Sequence, residues 1–193
     1  MRISIDGNIG SGKSTVLGLL KEKLNDKFKI IDENIQDWEQ YLREYYKDIK
    51  KNSLLFQMKV LHHHLGNKAN DNENCIHERS PLSCINIFGQ NLRNKSFLGN
   101  LDMLIMNSYN DSFGWIPDII IYIRTDPEIA KKRVDKRSRQ GETIPLNYLK
   151  EIHNLYEKEY ILEKKSKPEI FIVDGNKNIE EVFIRVSNII SAF

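Results

Sequence analysis

Gly7-Asn8-Ile9-Gly10-Ser11-Gly12-Lys13-Ser14-Thr15 decides the reading of this chain. Gly7, Gly12, Lys13 and Ser14 fill every fixed position of the pattern G-x-x-x-x-G-K-[ST]. The apolar run Ile3-Ser4-Ile5 precedes it and Val16-Leu17-Gly18-Leu19-Leu20 follows, so the loop joins a strand to a helix. Glycines let such a loop fold with successive backbone N–H groups turned inward, and the following helix adds the positive end of its dipole. Both features favour phosphate oxygens. Lys13 is placed to reach β- and γ-phosphates and Ser14 to hold Mg²⁺. An ordinary glycine-rich turn is the alternative, but it would not require all four fixed positions. The pattern specifies phosphate binding and leaves the reaction open.

Working outward, apolar runs at 2–6, 28–31, 74–77, 118–123 and 170–174 read as strands. Between them lie helical patterns: 13–25, Trp38 to Tyr46, Leu54 to Leu65, Pro81 to about Leu92, Asn100 to Tyr109, Pro127 onward, Pro145 to about Glu163, and a last helix capped by Asn178. Strands alternating with helices predict a single α/β domain over residues 1–193. The expected architecture is a five-stranded parallel sheet with helices on both faces, the phosphate loop leaving its first strand.

The 193 residues are 40% hydrophobic and 29% charged, as in an ordinary globular protein. A net charge of +2 argues against nucleic-acid binding as the main task. No apolar run is long enough to span a bilayer, and a first strand at Arg2 leaves no room for a leader, so a cytoplasmic protein is expected. Cys75 and Cys84 are the only cysteines and read as free thiols.

A phosphate loop serves ATPases, GTPases and kinases alike, so other charged residues must decide. Glu33 follows the second strand and Glu78 the third, where carboxylates face the ligand crevice of an open α/β sheet. One could take the proton of an attacking hydroxyl and the other could join Ser14 on Mg²⁺. Arg133 and Arg137 share a helix face and Arg139 begins the turn beyond. Arginines on a closing lid stabilise charge in phosphoryl transfer, although a basic run is commonly just a solvated helix face. His62-His63-His64 cannot chelate one ion together, because consecutive helical residues point about 100° apart.

Five motifs in order now add up to a resemblance: GNIGSGKST (7–15), ENIQDW (33–38), FQ (56–57), ERS (78–80), and YIRTDPEIAKKRVDKRSR with IPLNYL (122–149). This order resembles the deoxyribonucleoside kinase family, from residue 3 to about residue 174. The resemblance implies a P-loop kinase fold with an Arg-rich lid at about 133–144, and ATP-dependent phosphorylation of a deoxyribonucleoside 5′-hydroxyl with Mg²⁺ as cofactor. Glu33 resembles the carboxylate that activates the hydroxyl, although the family pattern also admits the Glu of the Glu78-Arg79 pair in that role. Glu78 and Arg79 resemble the pair that binds Mg²⁺ and steadies the reacting groups. Trp38 resembles a wall of the nucleoside pocket, Tyr46 the partner of the sugar 3′-hydroxyl, Gln57 the reader of the base edge and Phe88 the ring stacked on the base. Arg133, Arg137 and Arg139 resemble lid arginines, and Glu142 the lid carboxylate that meets the 3′-hydroxyl. A homodimer is implied as well.

Asn34 departs from the family, which usually has Pro there, and the segment before Pro145 is one residue shorter. His64 and Cys84 stand where deoxycytidine- and purine-preferring relatives carry Arg and Asp, and thymidine-accepting ones Met and Ala. Small, uncharged Cys84 sides with the second group, so a pyrimidine preference is expected, with thymidine and deoxycytidine both accepted. Two alternatives remain at this point. A nucleoside monophosphate kinase of thymidylate kinase type would share the loop. A GTP-binding switch would use Asp111-Ser112-Phe113-Gly114 as its D-x-x-G, but Asn176-Lys177-Asn178-Ile179 lacks the final Asp of N-K-x-D.

Overall fold

Along Ile119–Arg124 (β4), Ile119, Ile121 and Ile123 pack into one core and Ile120 and Tyr122 into another, and all five are buried. A strand buried on both sides belongs inside a sheet with helices on both faces. The computed structural model describes residues 1–23, 27–68, 73–137, 143–163 and 168–193. Its sheet has five parallel strands: β1 (Arg2–Asp6), β2 (Lys29–Ile31), β3 (Cys75–Glu78), β4 and β5 (Glu169–Asp174), in the order β2-β3-β1-β4-β5. All five predicted strands are present, and the strand feeding the phosphate loop is central.

The helices are α1 (Lys13–Lys23), α2 (Glu39–Lys47), α3 (Ile49–Gly66), α4 (Pro81–Ser83), α5 (Gln90–Asn94), α6 (Asn100–Phe113), α7 (Pro127–Arg137), α8 (Leu146–Glu157) and α9 (Ile179–Ser191). On one face, Val16, Leu17 and Leu20 of α1 and Val182 and Val186 of α9 pack on Ile3, Ile5 and Ile121. On the other, Ile152 and Tyr156 of α8 meet Ile120 and Tyr122. Each fully buried aliphatic side chain contributes roughly 1.5–3 kcal/mol. A further core beside the sheet joins Trp38, Tyr45, Phe56, Leu61 and Met106, and it walls one end of the cleft described below. No helix among the described residues is long and apolar enough to cross a membrane.

Several boundaries differ from the sequence reading. Helix α3 starts at Ile49 rather than Leu54, because the Asp48 carboxylate accepts the Lys51 N–H at 3.0 Å and caps it there. Trp38 closes a 3-10 turn, Ile35–Trp38, ahead of α2. The predicted helix from Pro81 contains a π-helical middle, Cys84–Gly89, between α4 and α5. Pro145 caps α8, whose end passes into a second π-helical segment, Lys158–Leu162. Asn178 caps α9 as expected, accepting the Glu181 N–H at 2.9 Å. Cys75 and Cys84 are free and buried.

Candidate active site

The phosphate loop leaves β1 after Asp6 and turns back into α1 at Lys13. Gly10 takes φ +80°, and a Cβ there would lie 2.5 Å from the Ala130 carbonyl oxygen on α7. A side chain at this position would be strained and would push α7 off the loop. The loop is held from inside. Asn8, fully buried, donates its amide to the Leu149 carbonyl at 2.8 Å, and its own carbonyl accepts the Lys13 ammonium at 2.9 Å. Gly7 and Asn8 shape the loop from behind, whereas residues 9–15 line the open space in front of it.

That space is one continuous cleft of about 2110 Å³. Single-ligand pockets usually run to about 300–1,000 Å³, so this cleft has room for two substrates. Parallel register delivers the acidic residues to it. Ile31 pairs with His77 and Ile5 with Glu78, so Glu33 and Arg79 emerge side by side just beyond the strand ends. The Arg79 guanidinium forms an ion pair with Glu33, both side chains less than a tenth exposed, and a second, longer contact of 3.5 Å to the Gly7 carbonyl. Arg79 holds φ +64°, a left-handed conformation unusual for a residue with a side chain. Its N–H stays on the sheet, donating to the Ile5 carbonyl at 3.1 Å, while its guanidinium carbon lies 5.0 Å from the Phe88 ring centre. Local strain of this kind, of order 1–3 kcal/mol, persists where the surroundings fix it, and such positions cluster at active sites.

The electrostatics follow from four charges gathered in little water. Burial works to raise the Glu33 pKa, but Arg79 outweighs it, with smaller help from His64 and Lys13, so this carboxyl titrates below its usual range. Burial raises the pKa of Glu78, opposed mainly by Lys13. Burial and the neighbouring Arg79 bring Lys13 down to about 7, while Glu78, Glu33 and Asp6 hold it up. Ser14 Oγ donates to Glu78 Oε1 at 2.9 Å, which sets a hydroxyl and a carboxylate oxygen together at the foot of the loop.

At the other end of the cleft the walls are aromatic. Tyr45 stacks on Phe56 at 4.6 Å and 22°, and Trp38 tilts against the same ring at 5.6 Å. Gln57 is buried on α3, and the Cys84 thiol donates to its side-chain oxygen at 3.4 Å. Burial raises the Cys84 pKa far above its usual value, so the thiol stays protonated and unreactive. His64 is buried with its Nε2 unpartnered, and burial lowers its pKa to about 4, so the ring is neutral at physiological pH. Trp38, Tyr46, Gln57, His64, Cys84 and Phe88 all line the cleft.

Arg133 and Arg137 line the phosphate end, as their shared helix face required. Arg133 already reaches the loop, donating to the Ser11 carbonyl at 3.4 Å and to the Lys177 carbonyl at 3.3 Å. Arg139 and Glu142 lie outside the described residues. Tyr148 and Tyr45, which line the cleft, were not singled out from sequence. Tyr148 stands in the quoted IPLNYL stretch, so its signal was available. The D-x-x-G reading is not supported: Asp111 to Phe113 form the last turn of α6 and, with Gly114, lie away from the cleft.

Comparisons with known proteins agree with this geometry. The deoxynucleoside kinase family profile matches residues 3–193. A putative kinase, protein 143R of Invertebrate iridescent virus 6, is 35% identical, covering 99% of this chain and 97% of the relative. A probable deoxycytidine kinase of fowlpox virus is 31% identical over 81% of this chain and 70% of its own length. The structure of deoxyadenosine kinase from M. mycoides with the products dCMP and a flexible dCDP bound superposes with a TM-score of 0.86, at 27% identity over the full length of both chains. A phosphate loop facing a carboxylate–arginine pair across one large cleft, on a chain matched from residue 3 to its end, makes this protein a kinase of the deoxynucleoside kinase family.

Proposed function

We propose that this kinase transfers the γ-phosphate of ATP to the 5′-hydroxyl of a deoxyribonucleoside and prefers pyrimidines. One observation carries the reading: Glu33, ionised and held by Arg79, stands in the cleft that the phosphate loop also lines. Arg79 Nη1 engages Glu33 Oε2, so the other carboxylate oxygen remains to accept the proton of an entering primary alcohol. The alcohol oxygen then attacks the γ-phosphorus in line, the bond to the β-phosphate oxygen breaks, and the proton passes to Glu33. Lys13, Arg133 and Arg137 oppose the charge spread over the transferred oxygens. Arg139 and Glu142 complete the proposal as lid residues.

Ser14 and Glu78 offer two adjacent hard oxygen donors, a set suited to Mg²⁺, which usually takes one or two protein oxygens alongside substrate phosphates. Bound there, Mg²⁺ would neutralise phosphate charge. The chain's own contribution is to hold those two oxygens beside Lys13.

Gln57 presents a paired donor and acceptor to the base edge, Phe88 and Trp38 enclose the base, and Tyr46 meets the sugar 3′-hydroxyl. A neutral His64 and Cys84 stand in the places of the Arg and Asp of deoxycytidine- and purine-preferring relatives, so that Arg–Asp pair is replaced by two uncharged side chains, which leaves room for a 5-methyl group. A purine-acting neighbour makes the base preference the sharpest part of the proposal. The kinase acts on small molecules in the cytoplasm, with no nucleic-acid or membrane partner. It works as a homodimer: Leu101, Leu104 and Ile105, exposed and spaced on one face of α6, form an apolar stripe suited to a second copy. Light scattering of wild type and Leu104→Glu tests this, with a dimer and a monomer expected.

Incubating thymidine, deoxycytidine, deoxyadenosine, deoxyguanosine and dTMP separately with ATP and Mg²⁺ tests the main reading. The expected result is 5′-monophosphate from the two pyrimidine nucleosides, with kcat/KM at least tenfold above the purines. Transfer to dTMP alone would move the assignment to a monophosphate kinase.

A further inference from the structure

The two π-helical segments lie on different parts of the chain, yet a side-chain hydrogen bond joins them. Asn86, in Cys84–Gly89, donates its amide to Glu159 Oε1 at 2.9 Å in Lys158–Leu162. The next residue, Tyr160, is buried and donates its hydroxyl to Asp6 Oδ2. Asp6 is fully buried, accepts Ser4 Oγ at 2.8 Å on its other oxygen, and is the last residue before Gly7 of the phosphate loop. The first π-helical segment carries Cys84, which meets Gln57 at the aromatic end of the cleft, and Phe88, whose ring lies 5.0 Å from the Arg79 guanidinium. Two consecutive side chains on one turn therefore hold both ends of the cleft. Asp6, Asn86, Glu159 and Tyr160 do not themselves line it.

We propose that Asn86, Glu159, Tyr160 and Asp6 form a strap that sets the distance between the base-binding wall and the phosphate loop, and so between acceptor hydroxyl and γ-phosphate. These are positioning residues. Transfer requires reacting atoms about 3–3.5 Å apart, and a displacement of about 1 Å can cost about a hundredfold in rate. π-Helical turns are uncommon and recur at functional sites. A Glu159–Tyr160 pair aimed at two different partners gives this one a specific task. Neither substrate alone spans the strap, so each should bind normally when it is loosened, and the cost should fall on the step that needs both in register.

This inference rests on reading the cleft as a joint site for nucleoside and triphosphate, and the experiment separates the two. In the full chain, Asn86→Ala, Tyr160→Phe and the double variant are compared with wild type. The readouts are kcat with deoxycytidine or thymidine, and calorimetric Kd for each nucleoside and for a non-hydrolysable ATP analogue. Circular dichroism and thermal melts confirm folding. Each single variant is expected to lose tenfold to a hundredfold in kcat with either Kd changed less than threefold. The double variant should be no worse than about threefold below the weaker single, because both act through one turn. Unchanged kcat in folded single variants would overturn the strap, as would losses confined to Kd. A wild type that phosphorylates no deoxynucleoside would overturn the joint-site reading and the strap with it. Should Tyr160→Phe not fold, Asn86→Ala, whose side chain is only half-buried, decides the question alone.

Discussion

Ser14 Oγ donates a 2.9 Å hydrogen bond to Glu78 Oε1, joining the first turn of α1 to the end of β3 across the foot of the cleft. The two residues are 64 positions apart in sequence, and only the parallel pairing of β1 with β3 brings them together. If this pair holds Mg²⁺, removing either oxygen weakens the metal more than it weakens the fold. Ser14→Ala and Glu78→Gln are each expected to lower kcat/KM by about tenfold to a thousandfold and to raise the Mg²⁺ needed for half-maximal rate. Steady-state rates across a magnesium titration, with EDTA as the zero point, check this. An unchanged magnesium dependence in both variants would remove the pair from the metal site.

Gly10→Ala should be costly and Gly18→Ala should not. At Gly10 a methyl group meets the Ala130 carbonyl at 2.5 Å on a left-handed backbone, whereas at Gly18, inside α1, it meets nothing within 4 Å. The first substitution is expected to destabilise by about 1–3 kcal/mol and weaken ATP binding. The second is expected to stabilise by up to about 1 kcal/mol through helix propensity. Urea denaturation of both variants measures the contrast.

His77 gives the fold an acid-sensitive component. It is buried against Trp115 at 4.2 Å between ring centres, and burial, with smaller electrostatic effects of the His64 ring, Arg2 and Lys29, lowers its pKa to about 4. The unfolded chain takes up a proton at this residue below about pH 6.5 and the folded chain does not until about pH 4. Stability from His77 is therefore fully present above pH 6.5 and is lost as pH falls toward 4. Relative to wild type, His77→Leu should gain about 2 kcal/mol between pH 7.5 and pH 5. Unfolding free energies at the two pH values test this, and an unchanged difference would contradict it. Taking the difference between proteins cancels the opposing contributions of Asp6 and Glu78, whose pKa values burial raises.

The sheet and the phosphate end of the cleft were legible in sequence because both are written in local pattern. Apolar runs marked five strands, and Gly7 to Thr15 marked the loop. Glu33 and Glu78 were legible because strand ends in a parallel sheet converge on one crevice. The meeting of Glu78 with Ser14, 64 positions apart, was expected as two ligands of one Mg²⁺, but the ion pair of Glu33 with Arg79 was not, because a contact between residues 46 apart depends on strand order and register. The π-helical turns at Cys84–Gly89 and Lys158–Leu162 were invisible for a related reason. Their residues suit an ordinary helix, and the extra residue per turn answers to tertiary contacts such as Tyr160 with Asp6, 154 positions away. The early start of α3 was the exception: Asp48 was a readable cap that the apolar spacing from Leu54 overshadowed.

The central claim is that a nucleoside's primary alcohol meets the Glu33 carboxylate while ATP occupies the phosphate loop. Single-turnover kinetics of Glu33→Gln with deoxycytidine and thymidine, alongside calorimetric ATP binding, test it directly. The account predicts an ATP Kd within about twofold of wild type and a transfer rate lower by about 10²–10⁴-fold. A variant that binds ATP normally and transfers phosphate at the wild-type rate would contradict it.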